Sequence, residues 1–243
     1  MPKILVCPIA FNENVKLKNV IERFLQSEVR VRVDYLVIDD ASDDGTSQII
    51  ESFLALGVKT IRHKVRKGVG AAIKTAIRYA KEKGYAILVI MAGNDKDNPQ
   101  EIPKLIEPLL KEDYDFVQGS RYKKGGGTGG DMPFYRKVAV RIHAWLMGLM
   151  TKKNVTDSTN GFRALRLTIF NDERINIDQS WLNKYELEPY LLYKVLTLGY
   201  RFKEVPVTKI YPSPKLGYTK MRAFSGWWSI LRPLVYLGLG IKK

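Results

Sequence analysis

Short apolar runs alternate with stretches of helical periodicity through the first half of this chain, and no other feature narrows its fold as much. Predicted strands lie at 4–10 (ILVCPIA), 35–38 (YLVI), 58–61 and 86–91 (AILVIM), and a fifth opens at 116. Between them, 15–26, 47–56, 69–83 and 102–110 carry apolar residues close to helical spacing. Gly84 is placed to end the third helix, and Pro103 falls in the first turn of the fourth, where a missing N–H is tolerated. Strand and helix in alternation mean βαβ units, hence an α/β fold with a mostly parallel sheet covered by helices. Further helices are expected at 134–150 and 187–198, and a late strand at 203–208. The glycine run 125–130 (GGGTGG) is expected to be a mobile lid.

In sheets of this kind ligands bind beyond the carboxyl ends of the strands. Polar clusters fall there four times: Asn12-Glu13, Asp39 to Thr46, Asn94 to Asn98, and Ser120-Arg121. The acidic loop 39–46 suits ribose hydroxyls and base N–H groups as donors, with Gly45 for a tight turn and Thr46 as a helix cap; a solvated turn is the plainer reading of that loop alone.

The formal net charge of +15, from 40 basic and 25 acidic residues, points to an anionic partner. Nucleic acid is a poor candidate, because basic residues are not interleaved with aromatics and the strand-end clusters are acidic. Cys7, the single cysteine, sits in an apolar run and reads as a core residue. As a nucleophile it would need an activating base, and His63 and His143 offer little pattern for one. No signal peptide is visible, and no run reaches the ~18 apolar residues of a membrane span. Residues 224–241 come nearest, but Arg232 and Pro233 interrupt them. Their Trp227, Trp228, Leu231, Leu234, Tyr236 and Leu237, followed by Lys242 and Lys243, fit either a helix lying in a bilayer interface or one packed on the core. The expected organisation is one domain over 1–222 and a C-terminal amphipathic segment over 223–243, cytoplasmic and peripheral at the cytoplasmic face of a membrane.

An ordered set of motifs goes further. Pro8-Ile9-Ala10-Phe11-Asn12-Glu13 precedes Asp39-Asp40-x-Ser42-x-Asp44-Gly45-Thr46, and Lys67-Gly68-Val69-Gly70-Ala71-Ala72 follows. Then come Gly119-Ser120-Arg121-Tyr122, Asp157 to Arg163 (DSTNGFR), Glu188, Gly199 to Val207, and Gly217-Tyr218-Thr219-Lys220. Together they resemble family 2 glycosyltransferases of the GT-A (Rossmann-like) fold, in the dolichyl-phosphate mannose synthase branch, over about residues 3–221. The resemblance implies an inverting transferase that takes a sugar from a UDP- or GDP-linked donor to a polyprenyl phosphate. It implies nucleotide-sugar contacts from Pro8, Asn12, Glu13, Asp39, Asp40, Ser42, Lys67, Gly70, Asn94 and Lys96.

The family's Asp-x-Asp, which holds Mg²⁺ or Mn²⁺ on the donor pyrophosphate, is altered: Ala92 and Asn94 stand in its place. Either Asn94, Asp95 and Asp97 build a shifted metal site, or Lys96 supplies the missing charge, or the protein binds nucleotide sugars with impaired catalysis. A phosphate acceptor is already ionised and needs no strong base, so catalysis rests on holding anions together. Arg121, Arg136 and Lys220 are the candidate phosphate ligands. Asp157, Arg163 and Glu188 are expected on the acceptor side, with Asp157 and Glu188 either acting directly or serving as buried partners of Arg163 or Arg201. A sugar-hydroxyl acceptor would make Asp157 the first candidate for a general base.

Overall fold

The computed structural model describes residues 2–212 and 223–242. The first half follows the alternation: β1 (Ile4–Ala10), α1 (Asn14–Leu25), β2 (Asp34–Asp39), α2 (Thr46–Glu51), β3 (Val58–Arg62), α3 (Val69–Glu82), β4 (Ile87–Ala92), α4 (Ile102–Lys111) and β5 (Phe116–Ser120). After these come β6 (Gly127–Gly130), α5 (Phe134–Thr151), β7 (Arg163–Arg166), α6 (Leu187–Thr197), β8 (Phe202–Pro206), β9 (Thr208–Tyr211) and α7 (Ala223–Gly238). Seven strands form one sheet in the order β3-β2-β1-β4-β7-β5-β8. Every pairing in it is parallel except those of β7, which runs antiparallel between β4 and β5.

Strand periodicity explains the two cores. On β1, Leu5 and Cys7 face one side with Leu36, Ile38, Leu88 and Ile90, where α3 and α6 cover them. Ile4 and Val6 face the other with Val37, Ile87 and Val89, under α1 and α4. Strands buried on both faces read as unbroken apolar runs, which is how they showed in the sequence. Cys7 is fully buried in the first of these cores, and burial pushes its thiol pKa up, so it is a packing residue.

Three segments depart from the sequence reading. Helix 47–56 ends early, as α2 followed by a 3-10 turn at Leu54–Leu56. The late strand is two strands, β8 and β9. The glycine run is no lid: Gly127–Gly130 pairs in parallel with Thr208–Tyr211 in a separate two-stranded sheet. Its glycines serve close approach. Gly130 has φ +69°, and a Cβ there would collide with the Tyr211 carbonyl oxygen.

The antiparallel insertion of β7 has a consequence for function. Arg163 pairs with Ile90 of β4 and Gln118 of β5. The segment leading into β7, residues 157–162, therefore arrives at the carboxyl ends of β4 and β5, where it joins the loops that follow those two strands.

Candidate active site

A cavity of about 230 Å³ opens at these strand ends. Its walls include Phe11, Glu13, Asp40, Arg66 and Gly68 on the β1–β3 side and Ala92, Asn94 and Lys96 after β4. Thr159, Tyr185, Glu188, Lys209 and Arg136 close it. A second, smaller cavity of about 100 Å³ is lined by Arg121, Val140, Tyr211, Trp227 and Ile230. The two share Asn94, Lys96, Arg136, Thr159, Lys209 and Ile230, so they meet at a cluster of three cations.

The acidic loop after β2 is spent largely on its own architecture. Asp39 is wholly buried; its carboxylate accepts from the Ser42 N–H (3.0 Å), the Ser42 hydroxyl (2.5 Å) and the Ser47 hydroxyl (2.5 Å). It lines neither cavity, contrary to the expected nucleotide contact. Asp40 does reach the cavity wall, while accepting from His63 Nδ1 (2.7 Å) and the N–H groups of Lys67 (2.8 Å) and Gly68 (2.7 Å). It thereby fixes the start of α3. Asn12, at φ +53°, donates through its backbone to the Ser42 hydroxyl and through its amide to Asp43. Asn12 and Ser42 thus tie the first loop to the second. Pro8 is buried within β1 opposite Met91, away from the cavity. The Lys67 side chain is exposed. Gly70 is required because a Cβ would meet the Lys184 carbonyl at 2.5 Å, seating α3 against the 182–184 segment. Glu13 lines the cavity and pairs with Lys16 at 2.5 Å.

The arginines divide into two kinds. Arg121 lies 5% exposed and grips Asp157 through Nε and Nη2 (both 2.7 Å). Its Nη2 also reaches the Thr159 hydroxyl (2.8 Å), and its Nη1 the Tyr211 hydroxyl (2.9 Å). Burial disfavours its charge, and the Asp157 carboxylate more than offsets this, holding its pKa above the ordinary arginine value. One N–H of its fork is left for a ligand. Asp157, wholly buried, is thus the partner of Arg121, not of Arg163 or Arg201. Arg163 is also wholly buried; it donates to the carbonyls of Glu188 (3.1 Å) and Asn160 (2.7 Å) and pairs with the Glu188 carboxylate at 3.3 Å. Glu204 accepts from the N–H groups of Thr156 and Asp157 (2.9 Å each), and burial pushes its pKa up. Arg136 differs: it lines both cavities from the first turns of α5. Lys220 lies outside the described residues.

After β4 the candidate metal ligands separate. Asp95, at φ +60°, turns to α1, where it pairs with Arg23 and accepts from the Asn19 amide (3.0 Å). Asp97 is 1% exposed; one oxygen takes the Lys209 ammonium at 2.5 Å and the other the Ala92 N–H at 2.9 Å. Asn94 lines both cavities, and its amide oxygen is buried without a hydrogen-bond partner among the described residues. Among those residues no group of three His, Cys, Asp or Glu is placed to hold a metal ion. The expected set Asn94, Asp95 and Asp97 does not converge, because each carboxylate has its own cation. Lys96 is 5% exposed; burial, then the charges of Arg136 and Lys209, push its pKa down to about 7. A bound anion would relieve that crowding.

Several lining residues were not among those singled out by sequence. Arg66 stacks over the Phe11 ring at 3.9 Å in the wall of the larger cavity, an arrangement suited to a planar base. Lys209 and Tyr211 come from β9. The one signal for Lys209 is strand periodicity: it alternates inward with Tyr211 while Ile210 faces out at 49% exposure.

This sheet, with its strand-end cleft, is that of a glycosyltransferase, and the chain belongs to glycosyl transferase family 2, whose model matches residues 6–174. It is 31% identical to an undecaprenyl-phosphate mannosyltransferase from Micrococcus luteus, over 77% of this chain and 75% of that one. It is 28% identical to a UDP-N-acetylglucosamine–dolichyl-phosphate N-acetylglucosaminyltransferase from Methanococcus voltae, over 85% of both. Among solved structures, glucosyl-3-phosphoglycerate synthase from Mycobacterium tuberculosis, in complex with Mn²⁺, UDP and glucosyl-3-phosphoglycerate, has the same fold. The TM-score is 0.67 at 18% identity, with 100% of this chain and 81% of that one covered.

Proposed function

We propose that this chain transfers a sugar, with inversion, from a nucleoside-diphosphate sugar to a polyprenyl phosphate at the cytoplasmic face of a membrane. The observation that carries this reading is the meeting of the two cavities at Lys96, Arg136 and Lys209. The larger cavity offers Arg66–Phe11 and Asp40 to a nucleoside, and the smaller one offers Arg121 and Arg136 to a second anion. An acceptor phosphate oxygen attacks the anomeric carbon from the smaller cavity. The bond to the β-phosphate oxygen breaks, its electron pair leaves with the nucleoside diphosphate, and no proton needs to move. Arg121 and Arg163 act by setting the 157–161 loop and Glu188. Asp157 suits a hydroxyl-activating base poorly, since both its oxygens accept from Arg121.

The surface beside the smaller cavity supports a lipid-borne acceptor. On α5, Val140, His143, Ala144 and Met147 face the protein. The opposite side exposes Phe134, Val138, Ile142, Trp145 and Leu149, with Lys137 and Arg141 flanking them. α7 packs Leu234 into the core, which fits the core-packed reading of 224–241, and it leaves Trp228 and Val235 exposed, as an interfacial helix requires. No helix among the described residues is long and apolar enough to cross a membrane, so this face suits lying on a bilayer.

The test is transfer from UDP- and GDP-sugars to a short polyprenyl phosphate, with the anomeric configuration of the product read by NMR. A glycosyl phosphate of inverted configuration is expected. Transfer to a sugar hydroxyl in preference, or a retained configuration, overturns the proposal.

A further inference from the structure

The family's Mn²⁺-binding position and the charge found there disagree in this chain. Ala92 and Asn94 bring no carboxylate to the end of β4. The two carboxylates that follow are each neutralised, Asp95 by Arg23 on α1 and Asp97 by Lys209 on β9. Freeing Asp97 for a metal would strand a buried lysine and break its bond to the Ala92 N–H. The sequence of 213–222, outside the described residues, contains no Asp, Glu, His or Cys. A hard dication wants several oxygens, preferably charged, and among the described residues the junction shared by the two cavities offers the neutral side-chain oxygens of Asn94 and Thr159, while Glu13, the nearby carboxylate of the larger cavity, is paired with Lys16 at 2.5 Å. The same junction already holds the side chains of Lys96, Arg136 and Lys209, which repel a dication at short range.

The cations are also held in place. Lys96 is anchored through its backbone, its carbonyl accepting from the Ile210 N–H at 3.0 Å, and the neighbouring Asp97 bridges to Lys209. Its ammonium stands 5.1 Å from the Tyr211 ring centre. Lys209 is fixed between Asp97 and the Asn160 amide oxygen, 2.9 Å away. Lys209 is balanced by Asp97, so the charge that meets a bound diphosphate comes from Arg136 and from Lys96, whose ammonium form the anion itself would favour.

We infer that Lys96 and Arg136, backed by Lys209, replace the divalent cation on the donor diphosphate, so that this chain binds nucleoside diphosphates and releases them as leaving groups without a metal. The inference rests on the donor reading proposed above. In the transfer step the β-phosphate oxygen takes the electron pair of the breaking bond to the anomeric carbon. The growing negative charge is met by the ammonium and guanidinium groups instead of by a metal.

The test is calorimetric binding of UDP and GDP to the whole chain in EDTA and in MnCl₂, with UMP and GMP as controls. Affinity for the preferred diphosphate is expected to agree within about twofold between the two conditions. Lys96→Met is expected to weaken that diphosphate about tenfold or more and leave the monophosphate nearly unchanged, as for loss of one charged phosphate contact. Manganese paramagnetic resonance should find no ion retained by the protein–nucleotide complex. The wild-type comparison in EDTA stands whether or not the variant folds. A diphosphate that binds only with Mn²⁺, or one Mn²⁺ held per complex, overturns the inference and leaves the donor reading intact. If neither UDP nor GDP binds under either condition, both fall.

Discussion

At the scale of single residues, the buried pair of Arg121 and Asp157 bears first on stability. Arg121 and Asp157 form a pair buried on both sides, so the arginine cannot be removed quietly. Arg121→Ala leaves a buried carboxylate with no counterion and is expected to lower unfolding stability by about 3–5 kcal/mol, measured by urea denaturation. Arg121→Met combined with Asp157→Leu should recover most of that loss; a double variant as unstable as the single one would refute the pairing argument. His143 carries a pH prediction. Burial pushes its pKa down to about 4. Its Nδ1 lies 2.7 Å from the Ser158 hydroxyl and its Nε2 3.2 Å from the Ile230 carbonyl, so Nε2 carries the proton. The proton that titrates is a second one, on Nδ1: the unfolded chain takes it up near the ordinary value of 6.5 and the folded chain only near 4, so stability is whole above 6.5 and drains away as pH falls towards 4. Between pH 7 and pH 5 the loss is about 2 kcal/mol. Thermal melts should show it in the wild type and show less of it in His143→Gln; equal slopes would remove His143 as the cause. Lys209, Tyr211 and the Arg66–Phe11 stack were hard to read from sequence because their significance arises only by contact. Lys209 meets Asp97 across 112 positions.

Elements were far more legible. The five strands and four helices of the first half follow from hydrophobic period alone, because strands buried on both faces and helices buried on one leave different signatures. What failed was the glycine run, where composition suggests freedom and the real demand is a tight fit of β6 against β9. Nor did sequence period reveal that β7 runs antiparallel, although that reversal brings Asp157 to the strand ends. Helix α5 makes the clearest prediction at this scale. Trp145→Glu with Leu149→Glu should cut binding to vesicles containing anionic phospholipid about tenfold or more, while unfolding stability changes little, because both side chains are more than 60% exposed. Co-sedimentation measures this; undiminished binding would mean that α5 does not touch the bilayer. Deleting α7 would be a poorer test, since it removes Leu234 from the core and the Arg232 partner of Glu186.

For the molecule as a whole, the four polar clusters read from the sequence do meet at one edge, where the cavities open, because a parallel sheet gathers its strand ends there. The sequence did not divide that edge into two chambers, since the wall between them is built from β9, α5 and α7 together. The pairing of Asp97 with Lys209 carries this into time. A growing polypeptide makes Asp97 long before it makes Lys209, and contacts so distant in sequence close late and slowly. Until then the carboxylate has no counterion, and water must remain in the cleft. The Arg66–Phe11 side of the cleft lies early in the chain, whereas the side built by Lys209 and Tyr211 closes only when the chain has grown past β9. A nascent chain must therefore pass β9 before Asp97 can be buried with its counterion.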